Sequence, residues 1–88
     1  MLSIKDTSQF RKDFKKALKS GKDMDVLGNI VETLAAGISL SPKHKDHQLK
    51  GDYADCRECH IRPDWLLIYQ VEKNTLILLR TGSHSELY

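Results

Sequence analysis

The sequence predicts an α+β fold in which two N-terminal helices pack on a twisted, mainly antiparallel β-sheet. Three observations predict it. Phe10, Phe14, Ala17 and Leu18 recur at helical spacing, and Leu27, Ile30, Val31 and Leu34 do so again. After Asp55 the pattern changes to strand-length runs rich in β-branched, aromatic and aliphatic residues. The 88 residues suffice for one domain, 1–88, and not for two, so both halves must share one thin core. A composition of 40% hydrophobic and 30% charged residues with 5 Gly and 2 Pro is that of a globular chain and excludes disorder.

"LSI" at 2–4 alternates apolar and polar, as a short first strand does. Asp6, Thr7 and Ser8 are all able to cap the helix that follows, and Gly21 ends it. A second helix starts at Asp23 and stops at Gly37, antiparallel to the first across a short turn. The polar stretch "ISLSPKHKDHQLKGDYAD" reads as a loop with a short strand near His47 to Leu49. "CRECHIR", "WLLIYQVE" and "TLILLRTG" then form three antiparallel strands joined by tight turns at Pro63-Asp64 and Lys73-Asn74. The last two strands are apolar on both faces, as central strands are. No internal repeat or low-complexity segment is present.

"CRECH" at 56–60 carries the Cys-x-x-Cys-His spacing of a haem attachment site, and with His44 and His47 it offers the residue types of a zinc site. Strand geometry argues against both. In a strand from 56 to 62, Cys56 and Cys59 point to opposite faces and cannot hold one ion or one haem. The same alternation puts Cys59 and Ile61 toward the core, with Glu58, His60 and Arg62 in a row on the other face.

Net charge is +2, unevenly spread: residues 1–50 carry ten Lys and Arg against six Asp and Glu, and residues 51–88 carry four against six. The basic half is a docking surface for an anionic partner such as RNA, or simply a solvated face. "MLSIKDTSQFRKDFKK" has no apolar leader, and no run is long enough to cross a bilayer, so a cytoplasmic protein without membrane association is expected.

"KDHQLKG", "RECHIRPDWLLIY" and "LLRTGSHSELY", in this order after two short helices, resemble the YafQ-like branch of the RelE/ParE toxin superfamily. The resemblance spans nearly the whole chain. It implies a microbial ribonuclease-type fold with an RNA-binding concave face opposite the helices, and cleavage of mRNA in the ribosomal A site without metal or organic cofactor. It implies as partners mRNA, the ribosome and a neutralising antitoxin protein, docked as a helix in a groove or as an added strand. Matched residue by residue, it implies active positions at His47, His60, Asp64 and His84, with Glu58 at an acidic position and Tyr88 where relatives commonly carry a terminal Phe.

These residues suit the reaction. Metal-free RNA cleavage needs a group to take the 2′-hydroxyl proton, one to protonate the leaving 5′-oxygen, and stabilisation of the phosphate's extra charge. Histidine serves the first two near neutral pH. Asp64 or Glu58 is expected to orient or deprotonate, His84 to act as general acid, and His47 and His60 to share proton transfer and phosphate stabilisation. Arg62, Arg80 and Lys50 are candidate phosphate contacts. Tyr88 and Trp65 are candidate base-stacking residues, although for Trp65, at the start of an apolar strand, packing in the core is the favoured role. Tyr88 is expected to fray as the last residue, and His44 to be a surface residue. The lysine- and arginine-rich sites of other RelE-type toxins are not evident, so a histidine-based mechanism is implied. The alternatives are a non-enzymatic, gyrase-binding toxin of the ParE kind and an RNA-binding module without catalysis.

Overall fold

The structure is a computed structural model that describes residues 1–88. Of the three candidate caps, Thr7 starts the first helix, its hydroxyl accepting the Phe10 N–H at 3.0 Å. This helix, α1, spans Ser8–Lys19, and α2 spans Met24–Ala35 with Asp23 as its cap. Five strands, β1 (Ser3–Asp6), β2 (His47–Gln48), β3 (Arg57–Arg62), β4 (Trp65–Glu72) and β5 (Thr75–Gly82), form one sheet in the order β1-β5-β4-β3-β2. Pairing is antiparallel except between β1 and β5, which run parallel.

The helices cover one face. Phe10, Ala17, Leu27, Ile30 and Ala35 pack there against Cys59, Ile61, Trp65, Leu67, Tyr69, Leu76 and Leu78. The expected α1 stripe is narrower than its spacing suggests: Phe10 and Ala17 are buried, but Phe14 and Leu18 are 37% and 57% exposed. On the opposite face Cys56, Leu66, Ile68 and Leu87 make a smaller cluster, which is why β4 is apolar on both sides. The two thiols therefore lie on opposite faces, as the alternation predicts. Both are free, and burial, followed by the charges of Asp46 and Glu58, pushes the Cys59 thiol up to about 12.

A short helix, α3 (His84–Leu87), was not expected from the sequence. A capping box starts it, the Ser83 hydroxyl accepting the Glu86 N–H and the Glu86 carboxylate accepting the Ser83 N–H at 2.8 Å. Gly82 lets it fold back closely, since a Cβ there would come within 3.1 Å of the Glu86 carboxylate. Glu86 also pairs with Lys16 of α1 at 2.5 Å; that contact first, and the Ser83 N–H second, hold its carboxyl down at about 2.

Two bulges interrupt the alternation. The β3–β4 register shifts between His60 and Arg62, so Arg62 lies opposite Trp65 on the helix side. The expected row Glu58, His60, Arg62 thus ends at His60. The β4–β5 register shifts at Leu79 and sets Arg80 opposite Ile68 on the other face.

Candidate active site

Glu58 and His60 project from β3, and the neighbouring segments bring the remaining groups to them. His47, on β2, is paired with Glu58 in the antiparallel register. Its Nε2 lies 3.7 Å from Glu58 Oε1, and so does Nε2 of His60. Glu58 is only 5% exposed, and its other oxygen accepts the Tyr88 hydroxyl at 2.5 Å. Burial, then the hydrogen bond to Glu58, raises the Tyr88 phenol well above its ordinary range, so it stays a donor. Tyr88, the last residue, is 61% exposed, and α3 carries its ring back over β3 so that its hydroxyl meets the Glu58 carboxylate.

His84 opens α3, and Asp64 at the β3–β4 turn meets it. Asp64 Oδ1 accepts both the His84 backbone N–H at 2.9 Å and Nδ1–H at 2.7 Å. The backbone bond first, then the ring, holds the Asp64 carboxyl below the usual range. With Nδ1 committed, Nε2 is the free nitrogen of His84. The His60 ring centroid lies 5.6 Å from that of His84 and 6.5 Å from that of His47. Three imidazoles and two carboxylates from four separate stretches of chain thus meet on one side of the sheet.

Three residues of the 44–47 segment support this arrangement and were missed in the sequence. His44 is half-buried rather than a surface residue, and its Nδ1–H donates to the His60 carbonyl at 2.7 Å. Lys45 adopts φ 47°, a left-handed conformation uncommon for a side-chain-bearing residue, and its carbonyl accepts His47 Nδ1–H at 2.6 Å. Asp46 ties the segment to the sheet by accepting the Tyr69 hydroxyl at 2.7 Å and Arg57 Nε–H at 3.2 Å. Tyr53, also missed, sets its ring edge-on to that of Tyr88 at 6.2 Å.

The candidate RNA contacts divide. Lys50 is exposed, and Tyr88 borders the imidazoles. Arg62 is exposed but stands on the helix side of the bulge. Arg80 is committed to Asp13 of α1 through Nε (2.7 Å) and Nη2 (3.2 Å), and Asp13 also accepts the Thr81 N–H at the edge of β5. Burial pushes the Asp13 carboxyl up, but the bonds from Arg80, Gln9 and Thr81 outweigh it and hold it below its ordinary value. Trp65 is corrected as a stacking residue: it is 3% exposed in the helix-side core, where its indole N–H donates to Thr81 Oγ1 at 2.9 Å. No helix is long and apolar enough to cross a membrane.

Residues 2–88 match the family described as bacterial toxin of type II toxin-antitoxin system, YafQ. The chain is 37% identical over 86 residues, 97% of its length and 94% of the relative's, to the mRNA interferase toxin YafQ of Escherichia coli K12. Its structure resembles that of a metal-bound toxin from Helicobacter pylori (50% identity, TM-score 0.94, all of both chains covered). It also resembles a chain of the E. coli DinJ-YafQ complex (36% identity, TM-score 0.93, 100% of this chain and 99% of that one).

Proposed function

The chain belongs to the YafQ family of toxins of bacterial type II toxin-antitoxin systems, within the RelE/ParE superfamily, and from that premise we propose that it is an endoribonuclease cleaving mRNA in the ribosomal A site. One observation carries the catalytic reading: His47 and His60 both approach one buried carboxylate oxygen of Glu58, while Asp64 fixes His84 beside them. A structural role for these groups would not call for three imidazoles within reach of one phosphate. The ribose 2′-oxygen attacks the adjacent phosphorus as His60, assisted by His47, takes its proton. The bond from phosphorus to the 5′-oxygen breaks, and His84 Nε2–H gives that oxygen a proton, leaving a 2′,3′-cyclic phosphate and a 5′-hydroxyl. His47 and His60, on either side of the buried Glu58 carboxylate, stabilise the phosphorane's charge. Tyr88, edge-on to Tyr53, offers an aromatic face to a splayed base, and Lys50 a cation to the backbone.

One relative was solved with metal bound. The steps above are carried by this chain's own imidazoles and carboxylates. The test is cleavage of a defined message on translating ribosomes, with 5′ ends mapped, by wild type beside His60→Ala and His84→Ala. Loss of cleavage in folded variants is expected. A folded His84→Ala protein that stays toxic without cutting RNA would instead support gyrase-type binding.

An antitoxin is the expected protein partner, as DinJ is for the E. coli relative. An apolar helix of that antitoxin fits the groove of about 610 Å³ between α1, α2 and β1, where Ile4 and Phe14 are 49% and 37% exposed. Phe14→Glu is expected to weaken inhibition by antitoxin while leaving a folded protein.

A further inference from the structure

A second cleft borders the imidazoles, at the edge of β3 that the two-residue β2 leaves uncovered. It encloses about 660 Å³ between α2, residues 39–45 and the end of β3, within the range of roughly 300–1,000 Å³ that holds a compact ligand. Lys43, His44, Lys45, His60 and Arg62 line it, and no Asp or Glu does. Lys43, Lys45 and Arg62 make no ion pair within 4.0 Å, as is true of seven further lysines, so their gathering in one carboxylate-free cleft is what sets them apart. Ile30 and Ile61, 5% and 3% exposed, contribute apolar walls, and Asn29 and Ser41 contribute polar ones. His60 lines the cleft and belongs to the imidazole cluster, so the two adjoin at the edge of β3.

We propose that this cleft binds the ribose-phosphate strand of the message next to the cleaved nucleotide, its phosphates held by Lys43 and Arg62 and a base or ribose set against Ile30 and Ile61. The proposal rests on the nuclease reading and gives that site a direction: the strand leaves the imidazoles past His44 toward α2. The bulge at Ile61 gains a purpose, since regular pairing would have kept Arg62 on the sheet face. Unpaired cations in a cleft free of carboxylates suit a polyanion, and the apolar walls suit the nucleoside between phosphates. Ribosomal RNA offers the same phosphates, so the assay must tell the two apart.

The probe is a fluorescent single-stranded hexanucleotide of 2′-O-methyl RNA, which cannot be cleaved, titrated by anisotropy at 50–200 mM salt. Lys43→Ala with Arg62→Ala is expected to weaken binding about tenfold and to reduce the salt slope by about 1.4, two contacts at roughly 0.7 each. Lys43→Ala alone, at an exposed position, should give about half the slope change and guards against a folding effect of the double variant. Unchanged affinity and slope, or no binding by wild type at 50 mM salt, overturns the proposal. Weakened ribosome binding with an unaffected hexanucleotide assigns the cleft to ribosomal RNA and overturns it too. Cleavage of ribosome-bound message by wild type is measured in parallel. Absence of cleavage with variant-sensitive hexanucleotide binding defeats the nuclease reading alone, whereas cleavage with insensitive binding defeats the cleft alone.

Discussion

Asp46 is expected to couple the stability of the sheet to the placement of the imidazoles, and Asp46→Ala should damage both. The Tyr69 ring is 2% exposed, and its hydroxyl relies on the Asp46 carboxylate at 2.7 Å. Removing that acceptor leaves a buried hydroxyl unsatisfied, at about 1–3 kcal/mol. The Arg57 pair, whose guanidinium side is 41% exposed, adds only about 0–1 kcal/mol. A loss near 2–3 kcal/mol is large for a domain of this size, whose whole stability is on the order of 4–13 kcal/mol. It should lower Tm by about 8–24 °C, at roughly 4–8 °C per kcal/mol. Asp46→Asn keeps an acceptor oxygen and should lose less. The decisive assay is a thermal-melt cycle with Tyr69→Phe. That change should cost about 1.5–3 kcal/mol in wild type but little or nothing in the Asp46→Ala background, because there it removes the orphaned hydroxyl. Equal costs in both backgrounds would refute the bond. With the latch gone the 44–47 segment loosens, and at a temperature where every variant is folded kcat should fall at least about tenfold, as small misplacements of reacting groups do.

Asp64→Ala should reduce kcat more than Asp64→Asn, because the amide oxygen can still accept both His84 N–H groups; equal losses in ribosome cleavage assays would show that Asp64 does not act by orienting His84. The α3 attachment should fail in acid. Glu86 has a folded value near 2 against 4.5 ordinarily, so its contribution is complete above about 4.5 and disappears as pH falls toward 2. Amide protection factors at Leu87 and Tyr88, taken relative to the intrinsic exchange rate at each pH, that stay undiminished to pH 2 would contradict this. Finally, the Cys59 thiol, 0% exposed and raised to about 12, should resist alkylation at pH 8 until the chain unfolds, as followed by mass spectrometry.

The fold was legible where local rules decide it. Thr7 and Asp23 act as caps, the helical spacings find Leu27 and Ile30, and pleat alternation separates Cys56 from Cys59. It was illegible where register or distant contacts decide. Nothing in "HIRPD" announces the bulge that turns Arg62 to the helix side, because a register shift belongs to the pair of strands and not to either alone. His44 reaches a carbonyl sixteen positions away, and Asp46 a hydroxyl twenty-three away, through contacts that no periodicity encodes. Trp65 offered a stacking role as well as the favoured packing one, and the Thr81 hydroxyl, which accepts its N–H inside the core, fits it to packing. The helix under His84 did have a signal, Ser83-x-x-Glu86, which is the capping-box pattern.

The candidate histidines also show how a small sheet can orient imidazoles without a deep pocket. His47 gives its Nδ1 proton to a backbone carbonyl and His84 gives its own to Asp64, so in both rings Nε2 is the nitrogen left for chemistry. Glu58 stands between His47 and His60 with one oxygen occupied by Tyr88 and the other 3.7 Å from each Nε2. At that separation neither approach is a hydrogen bond. A buried carboxylate equidistant from two imidazoles is not committed to either, and a bound phosphate that draws one ring toward itself leaves the oxygen free to close on the other. Under the proposed mechanism the substrate thus selects which ring Glu58 supports. The long contacts of the free protein are then what a site looks like before its substrate tightens it.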